Sequence, residues 1–359
     1  MRYNYGLIGC GGAGTNRHLP AADANPRISV RGVCDLDTNR ADAAAANVNA
    51  TAYTDAATMI ESEELDAVSI ATPPPTHPGV VDDIRAYDVR VLVEKPFATT
   101  LEDAEGMLDR KQTITEVNNQ LFKPVVRRAV AAVKRGDIGS VKHVYTHSSI
   151  PDIHHFLSSH PDWIPSLDAG VFGENLPHWI YLTRAFLGDA NVEGVHTSAD
   201  IDHPEVDFDE VVVQLAGTET KGEIRMTVNS TKSNFVTVVG DDGTVMMDLD
   251  NRVARIAENP DATADILLGN VSAAASTAVQ TLTRAADHGI SMALRKSPVD
   301  NSTVVADRAY HTDGHYRQLT ELVSREWDSL TVTREDVRNN ADIYETVVDA
   351  IAEARQEND

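Results

Sequence analysis

Short apolar runs alternate with polar, helix-favouring stretches along the first third of the chain. Runs of this length, bounded by glycine, proline and acidic residues, are typical of buried strands. Regular alternation of strands and helices predicts a parallel sheet with helices on both faces. The predicted strands lie near residues 3–8, 28–34, 51–53, 66–71, 90–94 and 114–118. We therefore expect a doubly wound α/β domain of the Rossmann type over residues 1–123.

The pattern changes after Pro124. A helix rich in Val, Ala and Arg runs to Gly136, and strand-like segments joined by short turns follow, such as Asp241-Asp242-Gly243. Short hairpin turns favour an antiparallel sheet. These segments lie near 141–149, 192–200, 209–216, 221–229, 234–239 and 244–248.

Helical spacing returns in an alanine-rich stretch from Asp261 to Arg295 and again after Thr312. We expect a second α/β domain over residues 124–359 with an open, largely antiparallel sheet. Two domains suit a chain of 359 residues, which exceeds what one hydrophobic core usually organises.

The first apolar run leads into a glycine-rich turn followed by a segment that can be helical to about Ala24. Strand, glycine signature and helix in this order are the context of a dinucleotide site. The first glycine permits a tight turn, the second lets a pyrophosphate approach, and the third lets the helix pack on the strand. The turn consists of Gly9, Cys10, Gly11, Gly12, Ala13 and Gly14.

The second apolar run ends at Asp35, about twenty residues beyond the last glycine, where a carboxylate accepts hydrogen bonds from the adenosine ribose. Such a carboxylate repels a 2′-phosphate, which favours NAD. Arg40 lies close enough in sequence to reach a 2′-phosphate, so NADP stays open.

A lone lysine stands at the end of another apolar run, in Glu94-Lys95-Pro96, and Thr72-Pro73-Pro74 follows the run before it. Ligands of doubly wound sheets bind beyond the carboxyl ends of the strands, where Lys95 falls. Lys95 is therefore the first candidate for catalysis; the alternative is a surface lysine paired with Glu94.

Charge and cysteine content limit the setting of the protein. The formal charge is −24, and only eight residues are lysine, a balance that resembles proteins of salt-accumulating halophiles. So much negative charge argues against nucleic-acid and anionic-membrane partners. No basic region followed by an apolar stretch begins the chain, so we expect a cytoplasmic protein. Cys10 and Cys34, at the ends of neighbouring strands, are expected to be reduced, buried thiols.

The ordered motifs resemble those of the Gfo/Idh/MocA family, the relatives of glucose-fructose oxidoreductase and inositol dehydrogenase. The resemblance rests on the glycine turn, Asp35, Thr72-Pro73-Pro74, His77, Glu94-Lys95-Pro96, Gly136-Asp-Ile-Gly139 and His178. It implies a Rossmann domain and an open-sheet domain, and the charge balance described above adds the expectation of a haloarchaeal member. It further implies that Lys95 lies beside nicotinamide and substrate, and that Thr72, Pro73, Pro74, His77, Glu94 and Pro96 shape the cofactor pocket.

The family usually carries Asp-x-x-x-His on a helix of the second domain, and this chain has Glu174 and His178 at those positions. Residues four apart share a helix face, so both can point at one substrate. Leu176 and Pro177 depart from the family pattern and bring the local backbone into question. Oxidising an alcohol requires a base with a pKa near the working pH, which histidine supplies. We expect His178 as the base, Lys95 as the group that polarises the substrate oxygen, and Glu174 as an orienting group; Lys95 and His178 can exchange roles.

Weaker candidates for substrate contacts are Asn119 and Gln120, after the last Rossmann strand, and His155 and Trp163, in a histidine-rich segment. His315 is weaker still. The irregular spacing of His147, His154, His155 and His160 lacks the pattern of a zinc site, and no metal is predicted.

These observations predict an NAD(P)-dependent dehydrogenase of a sugar, cyclic polyol or nucleotide-sugar. Two other functions stay open. One is a redox-neutral, NAD-dependent sugar lyase or glycosidase-type enzyme, and the other is a non-catalytic dinucleotide-binding sensor. An apolar face on the second sheet would favour a homo-oligomer, either a dimer or a tetramer.

Overall fold

The computed structural model describes most of the chain. The described residues are 2–109, 112–159, 164, 167–199, 206–228, 230–258, 313–324 and 329–358. The predicted helical stretch from Asp261 to Arg295 and the candidate residue Trp163 lie outside them. The chain divides into two compact units: the described parts of 1–122 and 286–341 form the first, and those of 123–285 and 342–359 form the second.

Six parallel strands form the sheet of the first unit, in the spatial order β3-β2-β1-β4-β5-β6. The strand order reverses between β1 and β4, which is the arrangement of dinucleotide-binding sheets. The strands are β1 (Tyr3–Ile8), β2 (Ile28–Cys34), β3 (Thr51–Tyr53), β4 (Ala67–Ile70), β5 (Arg90–Val93) and β6 (Ile114–Glu116). The predicted doubly wound fold is confirmed.

Helices and turns connect these strands. They are a π-helical turn (Gly14–His18), α1 (Leu19–Asp23), α2 (Thr38–Val48), α3 (Ala56–Glu63), a 3₁₀ turn (Pro74–Thr76), α4 (His77–Asp83), α5 (Leu101–Leu108) and a 3₁₀ turn (Asn119–Phe122). Side-chain oxygens of Asp37, Asp55 and Thr100 accept backbone N–H groups at the starts of α2, α3 and α5. Each such cap stabilises its helix by about 1 kcal/mol.

Both faces of the first sheet are buried. Along β5, Val91 and Val93 face one apolar cluster with Val68 and Ile70 of β4, whereas Leu92 faces the opposite cluster. Strands buried on both faces carry nearly continuous apolar sequence, which is why the sequence pattern located them.

The second unit contains a mixed sheet in the order β13-β12-β11-β7-β10-β9-β8. Only the pair β7 and β10 is parallel among its described strands, so the predicted, largely antiparallel sheet is confirmed. The strands are β7 (Val141–Ile150), β8 (Asn191–Ser198), β9 (Glu210–Ala216), β10 (Lys221–Val228), β11 (Phe235–Gly240), β12 (Gly243–Asp248) and β13 (Val253–Glu258). The sequence pattern did not predict β13.

One face of this sheet is covered by helix. The helices of the unit are α6 (Pro124–Arg135), α7 (Ile153–Ser159) and α8 (Gly170–Leu187). Helix α8 packs on β7 and β10, where the hydroxyls of Thr146 and Thr183 lie 2.7 Å apart in the buried layer. On the other face Tyr145, Phe235 and Met246 are 44%, 39% and 51% exposed. The rings of Phe235 and its cross-strand neighbour His147 stack 4.9 Å apart.

Helix α9 (Asp313–Ser324) belongs to the first unit, although the boundary predicted after residue 123 assigned it to the second domain. Leu319, Leu322 and Val323 complete one of the two apolar clusters on the first sheet. Gln318 accepts the N–H of Asn118 at 3.1 Å and donates to the carbonyl of Glu116 at 2.6 Å. Periodicity predicts such a helix but not which sheet it covers.

The last helix, α10 (Arg334–Asn358), continues past Ala341, where the first unit ends. No helix in the described parts of the chain has the length and apolar character needed to span a membrane.

Candidate active site

The glycine turn is shaped by close backbone packing at two of its glycines. A side chain at Gly9, where φ is +95°, would place Cβ 2.6 Å from the backbone of Ala71, and one at Gly14 would place Cβ 2.1 Å from the carbonyl oxygen of Gly9. At Gly11 a Cβ would meet no atom within 4 Å. The protein's own packing therefore requires Gly9 and Gly14 but not Gly11, whose predicted role is the approach of a phosphate.

Asp35 joins the end of β2 to the glycine turn. Its carboxylate accepts the N–H of Cys10 at 2.8 Å and the N–H of Asp37 at 2.9 Å. A neighbouring cavity of about 330 Å³ is lined by Asp42 and Asp55 among others. Arg40, the one basic residue that kept NADP open, lies 3.6 Å from the carboxylate of Asp37. The surroundings of Asp35 are thus acidic and disfavour an additional phosphate.

Cys10 and Cys34 are buried free thiols, as expected. Burial, reinforced by the charge of Asp35, raises the pKa of Cys10 to about 12. Burial and the charge of Asp55 raise the pKa of Cys34 to about 11. Both sulfurs therefore stay protonated at neutral pH, and neither is an activated nucleophile.

Lys95 lies two residues beyond the buried end of β5 and is half-buried. Its backbone N–H donates to Oε2 of Glu94 at 3.0 Å, and its bond to the buried Pro96 is cis. Phe97 then donates its N–H to the carboxylate of Glu116 at 3.1 Å. Buried carboxylates thus hold the turn on both sides of Lys95.

Glu94 lies at the centre of a buried polar cluster. Its Oε1 is 2.9 Å from Nε2 of His18 and 3.6 Å from Nε2 of His315. Burial opposes ionisation of Glu94, but the hydrogen bonds from His18 and His315 outweigh burial, so the pKa of the carboxyl lies well below its ordinary value. Burial lowers the pKa of His315 to about 4, and its ring is neutral at pH 7.

Sequence reasoning passed over His18 and ranked His315 low. The position of His18 could have identified it, because His18 lies four residues after the last glycine of the turn and hence one turn along the helix that follows. For His315 no local signal existed, because α9 reaches Glu94 only through the tertiary fold.

His77 joins two loops of the candidate site. Its ring nitrogens lie 3.1 Å from the carbonyl oxygen of Phe97 and 3.0 Å from that of Thr72. The ring is fully buried, and burial lowers its pKa despite these two hydrogen bonds. His77 therefore holds the backbone of both loops, and its predicted place in the cofactor pocket stays a prediction. Of the proline loop, Thr72 is half-buried, Pro73 exposed and Pro74 buried.

In the second unit, Glu174 and His178 lie on one face of α8. Both are half-buried, whereas Leu176, Pro177 and Trp179 are buried. The helix continues through Pro177, so the predicted shared face of Glu174 and His178 is present despite the unusual sequence.

A tyrosine lies near each of these two residues. Nδ1 of His178 lies 2.8 Å from the hydroxyl of Tyr181. Burial, and then the charges of Glu174 and Asp168, raise the pKa of Tyr344 above its ordinary value. Neither tyrosine was identified from the sequence. Tyr181 lies three residues after His178, a helical spacing that could have indicated it, whereas Tyr344 comes near Glu174 only through helix packing.

The lower-ranked candidates differ in position. Asn119 and Gln120 lie half-buried in the 3₁₀ turn after β6, and Nδ2 of Asn119 is 3.5 Å from Nδ1 of His315. His155 is exposed on α7, and its backbone N–H donates to Asp152.

Family comparison agrees with this arrangement. Residues 3–117 match the model described as the oxidoreductase family with an NAD-binding Rossmann fold, and residues 126–246 match the Gfo/Idh/MocA C-terminal domain. The chain belongs to the Gfo/Idh/MocA oxidoreductase family. Its first unit is the NAD-binding Rossmann domain of that family, and the resemblance predicted from the motifs is confirmed.

Individual relatives match over part of their length. A D-apiose dehydrogenase of Paraburkholderia graminis is 34% identical over 144 residues, covering 39% of this chain and 38% of the relative. An inositol 2-dehydrogenase of Rubrobacter xylanophilus is 33% identical over 112 residues, covering 30% and 31%. The chain thus spans between three and four tenths of the length of these relatives.

The similarity to solved structures covers nearly the whole chain. An oxidoreductase from Agrobacterium radiobacter, solved with NAD+, L-tartaric acid and magnesium, superposes with a TM-score of 0.76 at 15% identity. The superposition covers 99% of this chain and 97% of that structure, which at this identity shows a shared fold.

Proposed function

We propose that the protein is an NAD(P)-dependent dehydrogenase that oxidises a secondary or anomeric hydroxyl of a sugar, cyclic polyol or nucleotide-sugar, or catalyses the reverse reduction. The observation that carries the proposal is the position of Lys95. It follows the end of β5, in a turn held by the buried Glu94 carboxylate, on the sheet that carries the glycine turn. Among the relatives matched, apiose and inositol dehydrogenases act on substrates of this kind by their names.

The chemistry needs a proton acceptor and a group that polarises oxygen. NAD, when bound, would supply the hydride acceptor, and the protein's own residues would handle the proton. We assign His178 as the base that removes the hydroxyl proton and Lys95 as the donor that stabilises the developing charge on oxygen. Glu174, one turn before His178, orients the substrate by accepting a second hydroxyl.

The contact with Tyr181 holds the His178 ring in one orientation. If the phenol oxygen accepts the Nδ1 proton, the lone pair of Nε2 is available to accept a proton from the substrate. The arrangement resembles other histidine bases whose second nitrogen is fixed by a neighbouring oxygen.

NAD is the proposed cofactor, with NADP as the weaker ligand. Asp35 is aligned by Cys10 and Asp37, and Arg40 lies by Asp37. A 2′-phosphate would approach the Asp35 carboxylate while Arg40 is paired with Asp37, which disfavours NADP.

We also propose a cytoplasmic, halophilic homo-oligomer, a dimer or tetramer of a haloarchaeal protein. Tyr145, Phe235 and Met246 expose apolar surface on one face of the second sheet, the kind of surface that subunit interfaces cover. The charge of −24 supports a high-salt environment and disfavours nucleic acid and membrane as partners.

The test is reduction of NAD, followed at the absorbance band of the reduced nicotinamide in concentrated KCl. The panel is free aldoses, inositols and UDP-sugars, with NADP in parallel and Lys95→Ala as the control variant. We expect turnover with one substrate class and its loss in Lys95→Ala with NAD still bound. NAD binding without turnover on any substrate would contradict a dehydrogenase. Substrate cleavage without net NADH would then identify a redox-neutral lyase, and its absence a sensor.

A further inference from the structure

Helix α9 brings His315 to the carboxylate that fixes the Lys95 turn. One oxygen of Glu94 lies 3.6 Å from Nε2 of His315, and the other accepts the Lys95 N–H at 3.0 Å. His315 is 2% exposed and Glu94 is 9% exposed. The histidine therefore reaches the Lys95 turn through the carboxylate between them.

The protons of the cluster follow from the chemistry of each partner. The amide nitrogen of Asn119 can only donate, so Nδ1 of His315, 3.5 Å away, accepts. The proton of His315 then lies on Nε2 and points to Glu94. The carboxylate of Glu94 can only accept, so His18 also donates from Nε2, at 2.9 Å.

His18 completes this assignment at its other nitrogen. Nδ1 of His18 is buried and has no hydrogen-bond partner among the described residues. A proton there would be a buried donor without an acceptor, which costs free energy. Nε2 of both rings thus faces the Glu94 carboxylate, and His18 donates a hydrogen bond to it at 2.9 Å.

We infer that His315 is a positioning residue for the Lys95 turn. With His18 it holds the Glu94 carboxylate in the orientation that accepts the Lys95 N–H, and its Nδ1 aligns the Asn119 amide. The consequence for catalysis rests on the proposed dehydrogenase function; the contact itself does not. Since a displacement of about 1 Å in a reacting group can cost about 100-fold in rate, losing this support lowers kcat and leaves NAD affinity nearly intact.

The same three side chains have the composition of a metal site. One ligand atom from each of His18, Glu94 and His315 lies within 4.8 Å of the others, and two histidines with a glutamate can bind zinc. The 2.9 Å hydrogen bond between His18 and Glu94 favours direct pairing instead. Bound metal is therefore an outcome that the experiment must distinguish.

The experiment compares His315→Leu, which removes both hydrogen bonds, with His315→Gln, whose amide can still donate to Glu94. Leu322→Ala is the control for packing, because Leu322 lies in the same helix and in the apolar cluster, away from Glu94. Three quantities are measured for each full-length protein: kcat and KM, the Kd of NAD, and the imidazole ¹⁵N spectrum, in which the signal lost in His315→Gln identifies His315. Metal content is measured on the wild type and His315→Gln.

We expect His315→Leu to lower kcat by about 10- to 100-fold with little change in the Kd of NAD, and His315→Gln to recover most of that loss. Leu322→Ala should lower the unfolding midpoint without a comparable change in kcat. In the wild type, His315 should be neutral with its proton on Nε2.

Several results would overturn the inference. They are equal losses in His315→Leu and His315→Gln, wild-type kcat in His315→Leu, a proton on Nδ1 of His315, and stoichiometric metal that is lost in His315→Gln. If the wild type oxidises no substrate, the proposed function fails, and the ¹⁵N spectrum still decides the His315 contact.

Discussion

Nδ1 of His178 lies 2.8 Å from the hydroxyl oxygen of Tyr181, almost one turn further along α8. Tyr181 is 2% exposed, whereas His178 is half-buried, so the phenol holds the ring from the buried side. A histidine held at Nδ1 presents Nε2 in one direction, which is what a general base requires.

Replacing Tyr181 by Phe tests that relationship. We expect kcat to fall by about 10-fold or more with KM and NAD affinity nearly unchanged, because the base loses its orientation and not its substrate. The measurement is steady-state kinetics over pH. Tyr145→Phe, an exposed tyrosine of the second sheet, is the matched control and should behave as the wild type. Equal activity of the two variants would exclude a role for the Tyr181 hydroxyl.

A pair of glycine variants separates packing from binding in the glycine turn. Gly14→Ala would place Cβ 2.1 Å from the carbonyl of Gly9, so we expect it to destabilise the protein by more than about 1 kcal/mol. In Gly11→Ala the new Cβ meets no atom within 4 Å, so this variant should unfold at the same urea concentration as the wild type. It should bind NAD more weakly, because the Cβ lies where the pyrophosphate approaches. Urea denaturation and NAD titration measure both effects. Unchanged NAD affinity in Gly11→Ala would remove Gly11 from the cofactor site.

Asp35→Asn removes a charge but retains an oxygen that can accept the Cys10 N–H. We expect a higher Kd for NAD, by about 10-fold or more, and a lower Kd for NADP, because the ribose loses a charged acceptor and the 2′-phosphate loses a repelling carboxylate. Titration of both cofactors gives the ratio. Asp42→Asn, which lines the neighbouring cavity, is the control. An unchanged preference in Asp35→Asn would contradict the proposed role of Asp35.

Stability should depend on pH through His315. Its pKa falls from 6.5 to about 4 on folding, so between these values the unfolded chain binds a proton that the folded protein does not. The free energy of unfolding therefore falls as pH decreases from 6.5 to 4, by up to about 1.4 kcal/mol per pH unit. Folding also lowers the pKa of Glu94 from its ordinary value of 4.5, so the free energy of unfolding falls further as the pH decreases below about 4.5.

Denaturation midpoints at constant KCl measure this slope. Between pH 6.5 and 5, the denaturation midpoint of His315→Gln should change less with pH than that of the wild type. The exposed His155→Gln is the control and should follow the wild type. The groups that face the ring are His18, Glu94 and Arg17, and they are the same in both variants. A slope unchanged in His315→Gln would assign the pH dependence to other residues.

Apolar runs predicted the strands of the first sheet closely because those strands are buried on both faces. The run 90–94 corresponds to Arg90–Val93, and 66–71 corresponds to Ala67–Ile70. Strand β13 escaped prediction because it lies at a sheet edge and directs the small Ala254 inward, with Arg255 exposed, so its apolar alternation is weak.

Positions at strand ends were predictable, and partners across the fold were not. The place of Lys95 followed from one apolar run and its last residue. The contacts of Glu94 with His18 and His315 depend on how two helices pack, and helical periodicity leaves the neighbour unspecified. The same reason explains why the sequence placed α9 in the second domain, whereas the helix belongs to the first unit.

Helix α9 also has a consequence for biosynthesis. Leu319, Leu322 and Val323 fill an apolar cluster whose other members come mostly from the first third of the chain. A ribosome would release those strands long before it makes the helix that covers them. The nascent nucleotide-binding unit therefore exposes apolar surface until α9 has been translated, and we expect its folding to finish only after α9 has left the ribosome.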